Sequence, residues 1–343
     1  MTDLVSDLLA GKHSALARVI TKIENRSAGY RDIVSALHQH TGHADVIGVT
    51  GSPGAGKSTL VDKVAARYRE QGHTVGVIAI DPSSPYTGGA VLGDRIRMAS
   101  NAGDMDVFFR SMSARGSLGG LSTATTDAVT ALDAFGKDYV IVETVGAGQN
   151  EVDIVRTADT VAVLVPPGSG DDVQMLKAGI LEIGDVFVVN KADLEGADRT
   201  VQQLREMLQG RSTAGHHGAS GTEMAEATAD TGLPATADDA DPWEPPIVET
   251  VANRGEGVEA FMSELADHSA YLDRTGGRTE QARERFAAEI RTLLREDAND
   301  LLAAELARQG GLEQYVDAVL ARETDPYTVV DEVLGPLRAC LEE

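Results

Sequence analysis

The run Gly51-Ser52-Pro53-Gly54-Ala55-Gly56-Lys57-Ser58, with Thr59 behind it, has the Gly-x-x-x-x-Gly-Lys-Ser spacing of a phosphate-cradling loop. The glycines let consecutive backbone N–H groups converge on phosphate oxygens, and the N-terminus of a following helix adds positive potential. Lys57 then reaches the β and γ oxygens, and the Ser58 hydroxyl becomes a ligand for Mg²⁺. A strand over Val46–Thr50 and a helix over Lys57–Glu70 give the loop the setting it needs. The chemistry implied is Mg²⁺-dependent hydrolysis of a nucleoside triphosphate.

Carboxylates follow at the ends of later strands. Asp81 closes the expected strand Val75–Ile80, where ligands of open α/β sheets bind. Asp94 lies in Gly93-Asp94-Arg95, in a loop punctuated by Gly88-Gly89, and equally fits an N-cap for a helix starting at Arg95. Glu143 ends the strand Tyr139–Thr144 just before Gly146, as the acidic residue does in the Walker B and switch II region of GTPases. Ser58, Asp81, Asp94 and Glu143 supply the hard oxygens that Mg²⁺ takes, directly or through water. Gly146 can bring its N–H close to a γ-phosphate because it has no side chain. Gln149 is a candidate for orienting an attacking water, although a solvated glutamine at a helix start has the same signature. Lys57, Asp81, Asp94, Glu143 and Gln149 form the candidate catalytic set.

The strand Val186–Asn190 runs into Asn190-Lys191-Ala192-Asp193, the Asn-Lys-x-Asp order of a guanine-reading loop. Guanine offers N1–H and a 2-amino group side by side, and the Asp193 carboxylate can accept both while the Lys191 stem covers the base plane. Adenine lacks those donors and leaves a carboxylate unpaired, a mismatch that discriminates by roughly 10⁴. Val251-Ala252-Asn253, followed by Gly255 and Gly257, stands where the last base-contacting backbone loop belongs.

These residues need a sheet to hold them at one edge. Val46–Thr50, Val75–Ile80, Tyr139–Thr144, Thr160–Pro166, Val186–Asn190 and Ile247–Thr250 are short Val- and Ile-rich runs with little polar alternation, separated by helical stretches. That pattern predicts parallel strands covered on both faces, a doubly wound and mainly parallel α/β P-loop GTPase domain over 46–272. Ahead of it, 1–45 reads as a helical extension: Leu16, Val19, Ile20 and Ile23, then Tyr30, Ile33, Val34 and Leu37, follow the helical period. Between 209 and 241 large apolar side chains nearly vanish, which predicts a flexible acidic insertion. Residues 273–343 read as a C-terminal helical region, with a long charged helix over Gln281–Arg308 and two shorter ones. Its stripe of Phe286, Ile290, Leu293, Leu294, Leu301, Leu302 and Leu306 calls for a partner surface.

Composition narrows the field. With 54 acidic and 30 basic residues among 343, the formal charge is −24. Nucleic-acid binding draws on clustered Lys and Arg, and no basic run occurs here. The acidic surface suits a protein working at high salt, where screening relieves self-repulsion. Cys340 is the single cysteine, the chain opens Met1-Thr2-Asp3 without an apolar signal region, and no apolar run nears the ~20 residues of a membrane span. A cytoplasmic location is the expectation.

With these residues in hand, the chain resembles the MeaB/ArgK family, the G-protein chaperones of adenosylcobalamin-dependent acyl-CoA mutases. Asp81-Pro82-Ser83-Ser84-Pro85-Tyr86-Thr87-Gly88-Gly89 with Leu92-Gly93-Asp94-Arg95 carries the likeness, as does Glu143-Thr144-Val145-Gly146-Ala147-Gly148-Gln149. So do Leu16-Ala17-Arg18 with Ile23-Glu24-Asn25-Arg26, and Pro167-Gly168-Ser169-Gly170-Asp171-Asp172 with Lys177, Gly179, Ile180 and Glu182. The resemblance implies a homodimer with helical extensions, Mg²⁺ among Asp81, Asp94 and Glu143, and cobalamin met only through a partner mutase, methylmalonyl-CoA mutase or a close relative. It also implies a third switch over about Gly168–Glu182, with Lys177 coupling nucleotide state to the partner. The chain departs from the family in its acidic surface, its insertion and Val251, where relatives usually have Ser. Two other readings stand beside this one: a nickel-insertion GTPase, for which only Cys340 and His216-His217 offer soft ligands, and a kinase of an amino-acid transport component.

Overall fold

The computed structural model describes residues 2–81, 104–113, 123–144, 154–168, 178–215 and 242–342. The chain divides into two compact units, Met1–Ala282 and Arg283–Glu343.

The first unit is built on a sheet of β1 (Asp45–Gly51), β2 (Val75–Asp81), β3 (Val107–Ser113), β4 (Tyr139–Thr144), β5 (Thr160–Val165), β6 (Val186–Asn190) and β7 (Ile247–Thr250). Its seven strands run in the order β3-β2-β4-β1-β5-β6-β7, and every pairing is parallel. Alternate residues feed two separate cores, as the two-residue strand period requires. In β5, Val161, Val163 and Val165 face one side while Ala162 and Leu164 face the other; in β6, Phe187 and Val189 oppose Val186 and Val188.

The second of these faces is covered by α4 (Lys57–Glu70) and the later helix Val258–Thr275. Leu60, Val61, Val64, Ala65 and Tyr68 recur at helical spacing on α4 and are buried. The opposite face carries α1 (Thr2–Leu9), α2 (His13–Glu24), α3 (Tyr30–His38), α5 (Thr123–Ala134) and α7 (Ala197–Gly215), with the short α6 (Ala178–Ile183) before β6. Leu16, Val19, Ile20 and Ile23 are fully buried there, at about 1.5–3 kcal/mol each relative to exposure. The N-terminal helices therefore share the core of the nucleotide-type sheet. One carboxylate secures the crossing: Asp133 on α5 accepts from the N–H groups of Gly42, His43 and Ala44, the turn that leads into β1.

Several boundaries differ from the sequence-based expectation. Strand β3 was not anticipated; Arg110 and Ser111 interrupt its apolar run, which an edge strand tolerates because one flank has no neighbouring strand. Helix α7 reaches Gly215, past the expected start of the insertion at 209, and 216–241 lies outside the described residues. The helix Val258–Thr275, α8, is followed by α9 (Gly277–Arg308), which starts before the expected Gln281.

The second unit consists of the rest of α9 with α10 (Leu312–Leu320) and α11 (Pro326–Glu342). No residue of α9 is buried, and Phe286, Ile290, Leu294 and Leu301 are 48–66% exposed. Among the described residues no helix is long and apolar enough to cross a membrane.

Candidate functional site

The site forms at the carboxyl ends of β4, β1, β6 and β7, where the chain order reverses on either side of β1, the usual ligand position in open α/β sheets. The phosphate loop leaves β1 at Gly51, whose φ of 128° is left to glycine, and a Cβ there would lie 2.0 Å from the Leu164 carbonyl oxygen. This lets the loop turn directly against β5.

Lys57 opens α4 and is buried, its ammonium donating to the carbonyls of Gly51 at 2.7 Å and Ser52 at 3.0 Å. The side chain thus folds back on the loop it serves, with its charge resting on two of the loop's carbonyls. Ser58, next along, donates to Glu143 Oε1 at 2.5 Å. Glu143 is 4% exposed and sits at the end of β4 in register with Val49 of β1 and Ala79 of β2. Beneath this contact Thr144 donates to Thr50 at 2.9 Å, tying the two strand ends. A hydroxyl and a buried carboxylate oxygen in contact are a hard-oxygen donor pair, the chemistry Mg²⁺ selects. The residues present fit that ion. Asp81 stands at the end of β2 beside Ser113 of β3, on the same edge of the sheet. Asp94, Gly146, Gln149 and Lys177 lie outside the described residues.

The base loop is organised by Asn190. Its amide donates to the Ala55 carbonyl at 2.7 Å, and its carbonyl oxygen accepts from the Thr250 hydroxyl at 3.0 Å and the Ala252 N–H at 3.1 Å. One buried side chain therefore joins the phosphate loop, the Asn190–Asp193 loop and the segment after β7. Gly56 makes room for it, since a Cβ there would lie 2.4 Å from the Asn190 amide nitrogen. Sequence order placed Asn190 at the nucleotide; its side chain also fixes the loops around it. Lys191 takes the left-handed φ of 62°, and Ala192 donates its N–H to Thr250 O at 3.0 Å. Of the expected backbone contacts after β7, the Val251 N–H goes to Glu256 O at 3.0 Å and that of Ala252 to Asn190, so both serve the loop's own shape. Asn253 lies between them and Arg254 in a short 3-10 turn. Asp193 pairs with Arg254 at 3.3 Å.

Sequence reasoning missed Thr50, Thr144, Thr250 and Arg254. Thr250 lies opposite Asn190 in adjacent strands, a register that only the folded sheet reveals. None of the four had a signal in the sequence, because a hydroxyl or guanidinium is informative only once the strand ends are placed side by side.

Fold and site define a P-loop GTPase. The chain belongs to the family of methylmalonyl Co-A mutase-associated GTPases, MeaB, whose model matches residues 16–307. A relative from Pyrococcus abyssi, named as a GTPase, is 44% identical over 332 residues, 97% of this chain and 95% of its own. GTPase ArgK of Escherichia coli is 38% identical over 197 residues, 56% of this chain and 60% of its own. The solved structure of a LAO/AO transport system kinase has a TM-score of 0.64 at 23% identity and covers 98% of this chain and 97% of that one, a likeness of fold.

Proposed function

We propose that the chain is a GTP-hydrolysing chaperone that gates cofactor loading and protection of an adenosylcobalamin-dependent acyl-CoA mutase, methylmalonyl-CoA mutase in the first instance. In this reading the Gly51–Thr59 loop cradles the phosphates, Lys57 neutralises charge on the β and γ oxygens, and Asp193 selects guanine. Ser58 and Glu143, with Asp81 and Asp94, hold Mg²⁺, which when bound shields the phosphate oxygens and stabilises charge developing in hydrolysis. Gly146 reads the γ-phosphate and Gln149 orients water. The contact of Ser58 with Glu143 is the observation that carries the catalytic part, because it brings the phosphate loop and the acidic strand end into one donor set.

Membership of a mutase-associated family supports the partner. Cobalamin then meets this chain only through the mutase, and Lys177 is the residue assigned to coupling. A cytoplasmic homodimer, joined through the helices of 273–343, completes the reading; the exposed apolar stripe of α9 supports it. The test is GTP turnover with and without a purified apo-mutase, with cobalamin retention by the mutase followed in parallel. Turnover accelerated by the mutase, with acceleration lost in Lys177→Ala, is the expected result. Identical turnover at every mutase concentration would remove the chaperone reading and leave the hydrolase intact.

A further inference from the structure

A carboxylate that accepts two neighbouring donors must present both oxygens in one plane, so its rotation about the Cβ–Cγ bond has to be restrained. The backbone around Asp193 is well held: Ala192 N–H is on Thr250 O at 3.0 Å, and Leu194 N–H closes a turn onto Lys191 O at 3.0 Å. Those bonds fix the main chain and leave the side chain to turn. Among the described residues the one polar partner of its carboxylate is Arg254, whose Nη2 lies 3.3 Å from Oδ2.

Arg254 is itself mounted on a fixed support. Its N–H donates to Val251 O at 2.9 Å, Gly255 closes the turn at φ 77° with its N–H on Ala252 O at 3.1 Å, and Ala252 N–H is held by Asn190. The guanidinium is 58% exposed and reaches Asp193 with one nitrogen while its Nη1 lies 4.0 Å from Glu256 Oε1, and among the described residues Oδ1 of Asp193 has no further polar partner. An exposed pair of this kind contributes about 0–1 kcal/mol to stability, so holding the fold together is a poor account of it. We infer that Arg254 is a positioning residue for base recognition, holding the Asp193 carboxylate in the plane that accepts guanine N1–H and the 2-amino group. This rests on the assignment of Asp193 to guanine made above.

The experiment is calorimetric titration of the full-length chain with GDP, IDP and ADP in the presence of Mg²⁺, for wild type, Arg254→Ala, Arg254→Lys, Asp193→Ala and the Asp193→Ala/Arg254→Ala double variant. Arg254→Ala should weaken GDP roughly fivefold or more, through coupling between contacting residues. IDP, which lacks the 2-amino group, should lose less, and Arg254→Lys should recover part of the loss. The KM for GTP should rise with kcat nearly constant, and the melting temperature should stay at the wild-type value. In the Asp193→Ala background the arginine should no longer matter. Unchanged or tighter GDP binding by Arg254→Ala overturns the inference, as does an equal loss in both backgrounds, which would place the arginine on the nucleotide itself. Failure of the underlying reading shows separately, as Asp193→Ala binding GDP like wild type.

Discussion

Lys57 and Asn190 show how two buried polar side chains divide the labour of one site. The ammonium of Lys57 rests on carbonyls of its own loop, so a phosphate need only displace or share contacts that are already aimed. Lys57→Ala should keep its circular dichroism spectrum close to wild type while GTP turnover falls by about 10² or more, the scale for removing a group that meets developing charge. Asn190 acts on structure first. Asn190→Ala strands the Ala55 carbonyl and the Ala252 N–H in a buried setting, at about 1–3 kcal/mol for each group left unsatisfied. Denaturant unfolding should therefore show a clear loss of stability alongside weaker GDP binding.

At the level of elements, the far ends of the strands hold a partly buried pair that the site does not use. Asp185, just before β6, accepts Val161 N–H at 2.8 Å and lies 3.5 Å from Nε2 of His268 on α8, whose Nδ1 meets the Thr160 hydroxyl at 2.8 Å. Burial pushes the Asp185 carboxyl up to about 7 and the His268 imidazole down to about 4. Taken singly, the raised carboxyl contributes stability that is full below its ordinary 3.8 and lost as pH rises through about 7. The depressed imidazole contributes stability present above its ordinary 6.5 and lost as pH falls through about 4. Over the shared window the two slopes oppose, and the pair carries one proton in the folded chain much as it does unfolded. Wild-type stability should thus owe little pH dependence to this pair. His268→Leu removes the imidazole's slope, so its melting temperature should fall further below wild type as pH rises from about 4 to about 6.5; a constant gap would show that His268 titrates normally. Such a pair could not be seen in the sequence, since Asp185 and His268 meet only through the packing of α8 on β5 and β6. The strands β1, β2, β4, β5, β6 and β7 were legible because unbroken Val and Ile runs encode two-sided burial, and the phosphate and base loops because their residue order encodes backbone geometry. Strand β3 was hidden by Arg110 and Ser111, and Arg254 by the lack of any spacing rule that ties a guanidinium to a loop sixty residues away.

On the scale of the whole molecule, the two units suggest where the chain can be divided. Arg278, at the head of α9, pairs with Asp45 at 3.0 Å, Asp159 at 3.3 Å and Asp273 at 2.6 Å. Ending the chain after Asp273, the sequence-based boundary, would strip one cation from carboxylates that surround it. Ending it after Ala282 keeps Arg278 and follows the boundary between units. The longer fragment should bind GDP like the full chain and melt close to it, and the shorter one should melt lower. Light scattering should find the full chain dimeric and the Ala282 fragment monomeric; a dimeric fragment would move the subunit contact into the first unit.

The strand order also bears on how the protein is made. The centre of the sheet is β1, whose hydrogen-bonded neighbours are β4, pairing Asp45 with Tyr139, and β5, pairing Ile47 with Thr160. Neither neighbour exists until about a hundred further residues have been polymerised, which takes roughly 5 to 20 s at ordinary elongation rates. Through that interval the segment that will carry the phosphate loop has both edges open, while α1 to α3 and α4 are already synthesised on either side of it. Helices form within microseconds once their residues are free. The residues of the helical covering are therefore in hand before the sheet they cover, but helices of 8 to 14 residues gain most of their stability only when that sheet arrives.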